Sequence, residues 1–300
     1  MLKLRGYFFV AVAAAFWGTS ATFVKFLFNK TYDPLIIVQM RTTIAFVVLI
    51  LYFLIFNRSL LRIKLKDIPL FLFVGIFGVA GSNYFYYAAI KETSVALSIL
   101  VQYTAPILVM LYVTIVQKEK LGVAKFAALV ISFLGIFFAV GGYNKEIFQA
   151  NSSGIVLALL AAISYSIFTV GGKPLTKKYS VWTAIIYVFG STALFWLFVN
   201  PPNVIIEAHY SLNDWGIFAF VSTITVLIPY GLYFFGLHYL QPSRAIITST
   251  LEPIVAIISE WIFLSGVLGV MQIIGTVCVV FAIILLQLTS HNEEITIAQE

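Results

Sequence analysis

The chain has 300 residues, of which 61% are hydrophobic and 10% charged, with a mean hydropathy of +1.02 and a formal net charge of +6. A soluble globular domain carries about a quarter charged residues, so a soluble protein is excluded. One cysteine, Cys278, and three scattered histidines, His209, His238 and His291, exclude an internal disulfide and a Cys/His metal site; no metal or cofactor is expected.

A bilayer core about 30 Å thick takes roughly 20 helical residues. Runs with few or no charges at 6–24, 42–57, 68–90, 93–117, 126–144, 154–172, 181–206, 215–237, 245–259 and 261–290 leave room for ten spans and almost none for a soluble domain. The predicted helices, in chain order, are 6–28, 34–56, 68–90, 94–116, 122–142, 154–173, 181–200, 214–236, 243–264 and 268–288. Lys3 and Arg5 open the first. Its apolar run continues to Leu27, beyond the h-region of a signal peptide, so it reads as a retained span. Pro34, Pro69 and Pro242 stand where a helix can begin. Pro106, Pro229 and Pro253 fall inside spans and should bend or break them. A membrane tolerates such breaks where polar neighbours or a cavity satisfy the freed carbonyls. The acidic end, 291–300, reads as a short disordered cytoplasmic tail.

The positive charge is placed by topology and gives no reason to expect a nucleic acid. With a cytoplasmic N-terminus and loops numbered alternately, the inside holds Lys3, Arg5, Arg58, Arg62, Lys64, Lys66, Lys118, Lys120, Lys125, Lys177, Lys178 and Arg244. The outside holds Lys30, Lys91 and Lys145, with Lys25 and Lys173 near helix ends. This is the positive-inside pattern. It predicts a multi-pass plasma-membrane protein with both termini cytoplasmic and an even number of helices.

An internal repeat organises the chain. Displaced by 147 residues, Tyr86-Tyr87-Ala88-Ala89-Ile90 falls on Tyr233-Phe234-Phe235-Gly236-Leu237, Pro106-Ile107 on Pro253-Ile254, and Leu121-Gly122 on Leu268-Gly269. Displaced by 148, Gly6 meets Gly154, Trp17 meets Tyr165, and Lys25 meets Lys173. The chain reads as two five-helix halves, 1–146 and 147–290. Five is odd, so the second half enters the bilayer from the opposite side. Inverted repeats of this kind serve alternating access in transporters; the plain alternative is a duplication kept for packing.

Two such halves, each with a proline-centred helix followed by a glycine-rich one, resemble the EamA-type members of the drug/metabolite transporter superfamily. The resemblance is carried by Phe16-Trp17-Gly18-Thr19-Ser20, Arg41, Tyr103-Thr104-Ala105-Pro106-Ile107, Lys118-Glu119-Lys120-Leu121-Gly122, Leu251-Glu252-Pro253-Ile254 and Gln272-Ile273-Ile274-Gly275. It implies ten helices, a central cavity between the halves, and export or facilitated diffusion of amino acids or related metabolites. The chain departs from the family at one place. A glycine-glutamate pair often follows the ninth helix, and here the chain reads Leu264-Ser265-Gly266, whereas Glu119 keeps the acid in the first half.

Charges inside spans are costly and mark candidate functional sites. Arg41 and Glu260 lie at matching depths from the outer side and form a candidate structural or gating ion pair; the alternative is that each snorkels separately. Glu252 is deeper, precedes Pro253, and shares a polar stripe with Thr248 and Ser259. A carboxyl there can bind a substrate ammonium or exchange a proton, or simply support the proline break. Polar aromatics too deep for an interfacial belt suit a solute cavity. The candidates for substrate contact are Trp17, Ser20, Asn83, Tyr84, Tyr87, Gln102, Tyr103, Tyr165, Tyr230, Tyr233 and Glu252. Trp17 and Tyr165, matched by the repeat, form a candidate symmetric pair. Gly18, Gly78, Gly81, Gly135 and Gly275 suit close helix packing.

No nucleophile–base set, H-E-x-x-H motif or phosphate loop is present. The expected partners are therefore a zwitterionic or cationic small molecule and the lipid bilayer. Nucleotide sugars or sugar phosphates are the second choice, because phosphate calls for several cavity cations. A membrane sensor or assembly partner is the third, and would normally append a soluble domain.

Overall fold

The computed structural model of the chain describes residues 2–28, 34–119, 121–148, 152–263 and 269–299. All regular structure among them is helical. The first two helices are α1 (Leu2–Phe28) and α2 (Pro34–Phe56). The next apolar stretch, Leu65–Glu92, holds α3 (Ile68–Phe73), a π-helical segment (Val74–Ala80) and α4 (Gly81–Glu92). Then come α5 (Val95–Gln102), α6 (Ala105–Ile115) and α7 (Val123–Ala139). The second half of the chain opens with α8 (Ser152–Lys178), α9 (Val181–Val199) and a short α10 (Pro202–Glu207). It continues with α11 (Leu212–Ser222), a π segment (Thr223–Leu227) and α12 (Ile228–Tyr239). The last are α13 (Pro242–Thr248), α14 (Leu251–Phe263) and α15 (Val270–Gln299).

Among the described residues, eight helical stretches are long and apolar enough to cross a membrane. The chain is therefore a multi-pass membrane protein. Its exposed surface is apolar in a way water would not tolerate: Val123 is 86%, Phe198 81% and Ile115 72% exposed. The inside is closed by small residues that let helix backbones touch. α7 runs along α15, where a Cβ on Gly135 would lie 2.8 Å from the Gly275 carbonyl oxygen. α1 packs against α12 and α14, α4 against α8, and α2 against α9.

Two helix breaks and the second π segment fall beside prolines inside spans, because proline lacks the N–H that would bond one turn back, whereas Pro174 lies inside α8 without breaking it. α5 ends at Gln102 and α6 restarts at Ala105, with Pro106 in its first turn. α13 ends at Thr248 and α14 restarts at Leu251, just before Pro253. Pro229 sits in the first turn of α12, directly after the π segment. The carbonyls loosened at these breaks are met by hydroxyls. Thr104 Oγ1 donates to Val101 O at 2.7 Å, Ser249 Oγ to Ile246 O at 2.8 Å, and Thr250 Oγ1 to Ile247 O at 2.6 Å.

The structure corrects the sequence reading at three places. No proline accompanies the π segment Val74–Ala80, so nothing in the breaker pattern announced it. α15 continues as helix to Gln299, through the stretch expected to be a disordered tail. The polar stripe of Thr248, Glu252 and Ser259 is cut by the break at Ser249–Thr250; Thr248 belongs to α13 and donates to Arg244 O at 2.7 Å. Leu264-Ser265-Gly266 lies outside the described residues.

The end of the bundle that carries the N-terminus is tied by charged groups. Lys125 Nζ bonds Glu119 Oε1 at 2.7 Å and Gln241 Oε1 at 3.3 Å. Lys173 Nζ donates to the carbonyls of Leu237, His238 and Leu240 at 2.6, 2.9 and 2.5 Å, capping the C-terminus of α12. Arg244, counted above as a loop cation, is buried in α13 and donates to Tyr7 Oη at 3.1 Å. Lys125→Met leaves Glu119 half-buried with a weak bond from Ser243 at 3.4 Å. It should lower stability by about 2 kcal/mol, since breaking a buried pair strands the remaining charge. The shift of the thermal unfolding midpoint of purified protein measures this, and an unchanged midpoint would show the pair to be idle.

Candidate functional site

Among the described residues, two cavities are weighed for the role. The larger, about 650 Å³, lies among α2, α9, α10 and α11 and is lined mainly by apolar side chains, among them Val47, Val48, Leu197 and Ile206. The smaller, about 100 Å³, lies at the middle of the bundle, and polar groups from both halves of the chain converge on it. Convergent polar groups in an otherwise apolar surrounding are the mark of a solute site, so the central cavity is the candidate.

Trp17 and Ser20 reach it from α1 and Arg41 from α2. Val79 comes from the first π segment, and Ser82, Asn83, Tyr86 and Tyr87 from α4. Gln102 and Tyr103 stand at the break between α5 and α6. The second half contributes Tyr165 and Phe168 from α8, Thr225 from the other π segment, Tyr230 from α12 and Glu252 from α14. The two π segments thus flank the cavity, where π turns commonly reshape a helix for a functional role.

A polar network joins several of these residues. Arg41 Nη2 donates to Asn83 Oδ1 at 2.5 Å, and Arg41 Nη1 reaches Thr225 Oγ1 at 3.5 Å. Asn83 Nδ2 donates to Tyr230 Oη at 3.0 Å and to Val79 O at 2.8 Å. Asn83 and Tyr230 are 147 residues apart in the chain. The guanidinium lies over the Tyr87 ring, 5.6 Å from its centroid. Arg41 is 8% exposed, and its Nε has no hydrogen-bond partner among the described residues.

In the same cavity, Tyr103 Oη donates to Glu252 Oε2 at 2.7 Å and to Ser249 O at 3.3 Å. Tyr165 Oη donates to Ser249 Oγ at 2.8 Å. A tyrosine at the first proline break therefore bonds a carbonyl and a carboxylate at the second. Trp17 packs edge-on to Tyr230 with centroids 5.0 Å apart, and Gln102 Nε2 donates to Ser82 Oγ at 3.3 Å.

Of the candidates named from the sequence, Trp17, Ser20, Asn83, Tyr87, Gln102, Tyr103, Tyr165, Tyr230 and Glu252 line this one cavity. Tyr84 does not. Asn83, Tyr86 and Tyr87 occupy one arc of a helix with 3.6 residues per turn, and Tyr84 falls at its edge, against Phe195 and Trp196. Tyr233 lies behind the wall, fully buried against Trp17 and Phe168, with its hydroxyl 2.8 Å from Thr169 Oγ1. The sequence reading passed over the cavity roles of Arg41, Ser82, Phe168 and Thr225, and left Tyr86 out of the candidates for substrate contact. Helical phase would have recovered Tyr86, three residues after Asn83. Arg41 was assigned to an ion pair with Glu260, whose side chain lies outside the described residues. Among the described residues, no carboxylate sits at ion-pair distance from Arg41.

Long apolar helices interrupted at the centre of a bundle, with a polar cavity at the interruptions, define a membrane transporter. The chain belongs to the EamA-like transporter family, whose model matches residues 4–141 and 152–288. An uncharacterized transporter of Archaeoglobus fulgidus is 26% identical over 282 residues, covering 93% of this chain and 98% of that protein. The transporter YcbK of Bacillus subtilis is 24% identical, covering 93% and 91%. The threonine/homoserine exporter RhtA of Escherichia coli K12 is 25% identical, covering 77% and 74%. One solved crystal structure superposes with a TM-score of 0.75 at 18% identity, covering 98% of both chains, and so shares the fold.

Proposed function

We propose that this protein is a secondary transporter that exports amino acids or similarly small metabolites by alternating access through the central cavity. The two halves, 1–146 and 147–290, form an inverted repeat of ten membrane passages in a plasma membrane, with both termini cytoplasmic. The eight long apolar helices, joined by α1 and the 17-residue α7, supply the ten. The observation that carries the reading is the cavity itself, lined from both halves at the points where their helices are broken. Broken helices at the midplane are where transporters bind solute and bend. RhtA, by its name a threonine and homoserine exporter, lends weight to an amino-acid cargo. Sugar phosphates and nucleotide sugars are disfavoured: Arg41 is the one cation among the lining residues, and about 100 Å³ is small beside the ~300 Å³ at which ligand pockets begin.

Counterflow in proteoliposomes tests this. Vesicles holding purified protein and one unlabelled amino acid should accumulate the labelled form from outside. Trp17→Ala should lower that accumulation about tenfold, because it removes one wall of the cavity. Accumulation of phosphorylated solutes alone would overturn the cargo, and accumulation of nothing would overturn transport.

A further inference from the structure

We infer that Arg41 anchors a carboxylate of the solute and Glu252 an ammonium, so that the cavity selects molecules holding both charges a few bonds apart, as an α-amino acid does. The inference rests on the transport reading and assigns its recognition to two named groups.

Both charges face the same small space, yet no ion pair joins them among the described residues. Arg41 is buried, and its partners are neutral: an amide oxygen at 2.5 Å, a hydroxyl at 3.5 Å and an aromatic face. These satisfy hydrogen bonds without balancing the charge, and Nε has no partner among the described residues. Glu252 has one side-chain donor, Tyr103, on Oε2, and its other oxygen has none among the described residues. The rest of the lining is uncharged: Tyr86, Tyr87, Tyr103, Tyr165 and Tyr230 face the same space. Two buried groups of opposite charge with no direct contact are costly unless something bridges them. About 100 Å³ is room for a cluster of several waters or one small solute.

A zwitterion completes both ends at once. Its carboxylate meets the guanidinium, with Nε free to donate alongside Nη1 in the two-pronged manner arginine favours. Its ammonium meets the open oxygen of Glu252. A decarboxylated amine leaves Arg41 uncompensated and adds a like charge beside it. A carboxylic acid without the amine does the same to Glu252. Arg41 thus sets specificity, a role that an interfacial ion pair would not give it.

The test is ligand-induced thermal stabilisation of the full chain in nanodiscs. The probes are the proteinogenic L-amino acids and, for each that stabilises, its decarboxylated amine and its deaminated acid. Wild type should be stabilised by at least one amino acid and by neither truncated analogue. Arg41→Met should weaken the amino acid about 100-fold, the loss expected when a buried charge partner is removed. It should also erase the preference over the amine. Glu252→Gln should erase the preference over the acid. Arg41→Lys, which keeps the charge but not the fork, should retain the preference at lower affinity, and it serves if Arg41→Met does not fold. Equal weakening of all three probes in Arg41→Met would reduce Arg41 to scaffold and overturn the inference. So would wild type that binds the amine as tightly as the amino acid, or binds no amino acid at all. If counterflow still carried another solute in that last case, the transport reading would stand without the inference; if counterflow carried nothing, both would fall.

Discussion

Gly18→Leu is expected to prevent recovery of folded protein from membranes. Gly18 lies midway along α1, where α1 crosses α14. A Cβ there would stand 2.5 Å from Glu252 O, 2.8 Å from Ala256 N and 2.8 Å from Val255 Cβ. The obstacle is helix backbone, so no change of rotamer relieves it, and the two helices must separate. Overpacking costs about 1–3 kcal/mol where side chains can adjust, and more here. Total stability is about 5–15 kcal/mol, so a large share of the margin disappears. The separation also moves the break that presents Glu252. Size-exclusion profiles and unfolding midpoints of the extracted variants measure the effect. Gly18→Ala should be intermediate, since its single methyl meets the same atoms. A Gly18→Leu protein with a wild-type profile and midpoint would show that α1 and α14 do not pack this closely.

Asn83 is expected to separate stability from transport. Its side chain accepts from Arg41 and donates to Tyr230 and Val79, joining α2, α4 and α12. Asn83→Leu keeps the volume and removes every bond. Arg41 is left with Thr225 at 3.5 Å, and the stranded charge should cost about 3–5 kcal/mol. Asn83→Asp keeps the oxygen that Arg41 uses and adds a charge that neutralises it. This variant also loses the donor to Val79 O, so its unfolding midpoint should fall, by less than that of Asn83→Leu, while counterflow drops more than about 100-fold because Arg41 is then paired within the protein. Counterflow at the wild-type rate in Asn83→Asp would argue against any direct part for the guanidinium in recognition.

Much of the candidate site could be read in the sequence because a bilayer makes polar side chains conspicuous. Asn83, Gln102, Glu252 and the deep tyrosines stand out against apolar runs, and nine of the eleven named residues meet at one cavity. The two that miss differ: Tyr84 is on the wrong arc of its helix, and Tyr233, three residues after Tyr230, is covered by Trp17 and Phe168. Depth along a helix can be counted from its ends. Rotation about its axis is set by the neighbours it packs against, and one sequence does not list them. Arg41 illustrates the same gap. Its depth matched that of Glu260, and depth alone cannot choose between that residue and the cavity.

What the sequence by itself determined was the solvent and the punctuation. Apolar runs of bilayer length required a helical membrane protein, since only helices and closed barrels satisfy their backbones in lipid. Pro106 and Pro253 placed two interruptions, because each removes a backbone donor, and Pro229 stands directly after a π segment. What tertiary structure alone decided was which interruptions face each other and which charges share a space. Tyr103 meets Glu252 across 149 residues, and Asn83 meets Tyr230 across 147. Such pairs depend on how closely glycines such as Gly18 and Gly135 let the helices approach. That approach is a property of the assembled bundle, which no single helix carries.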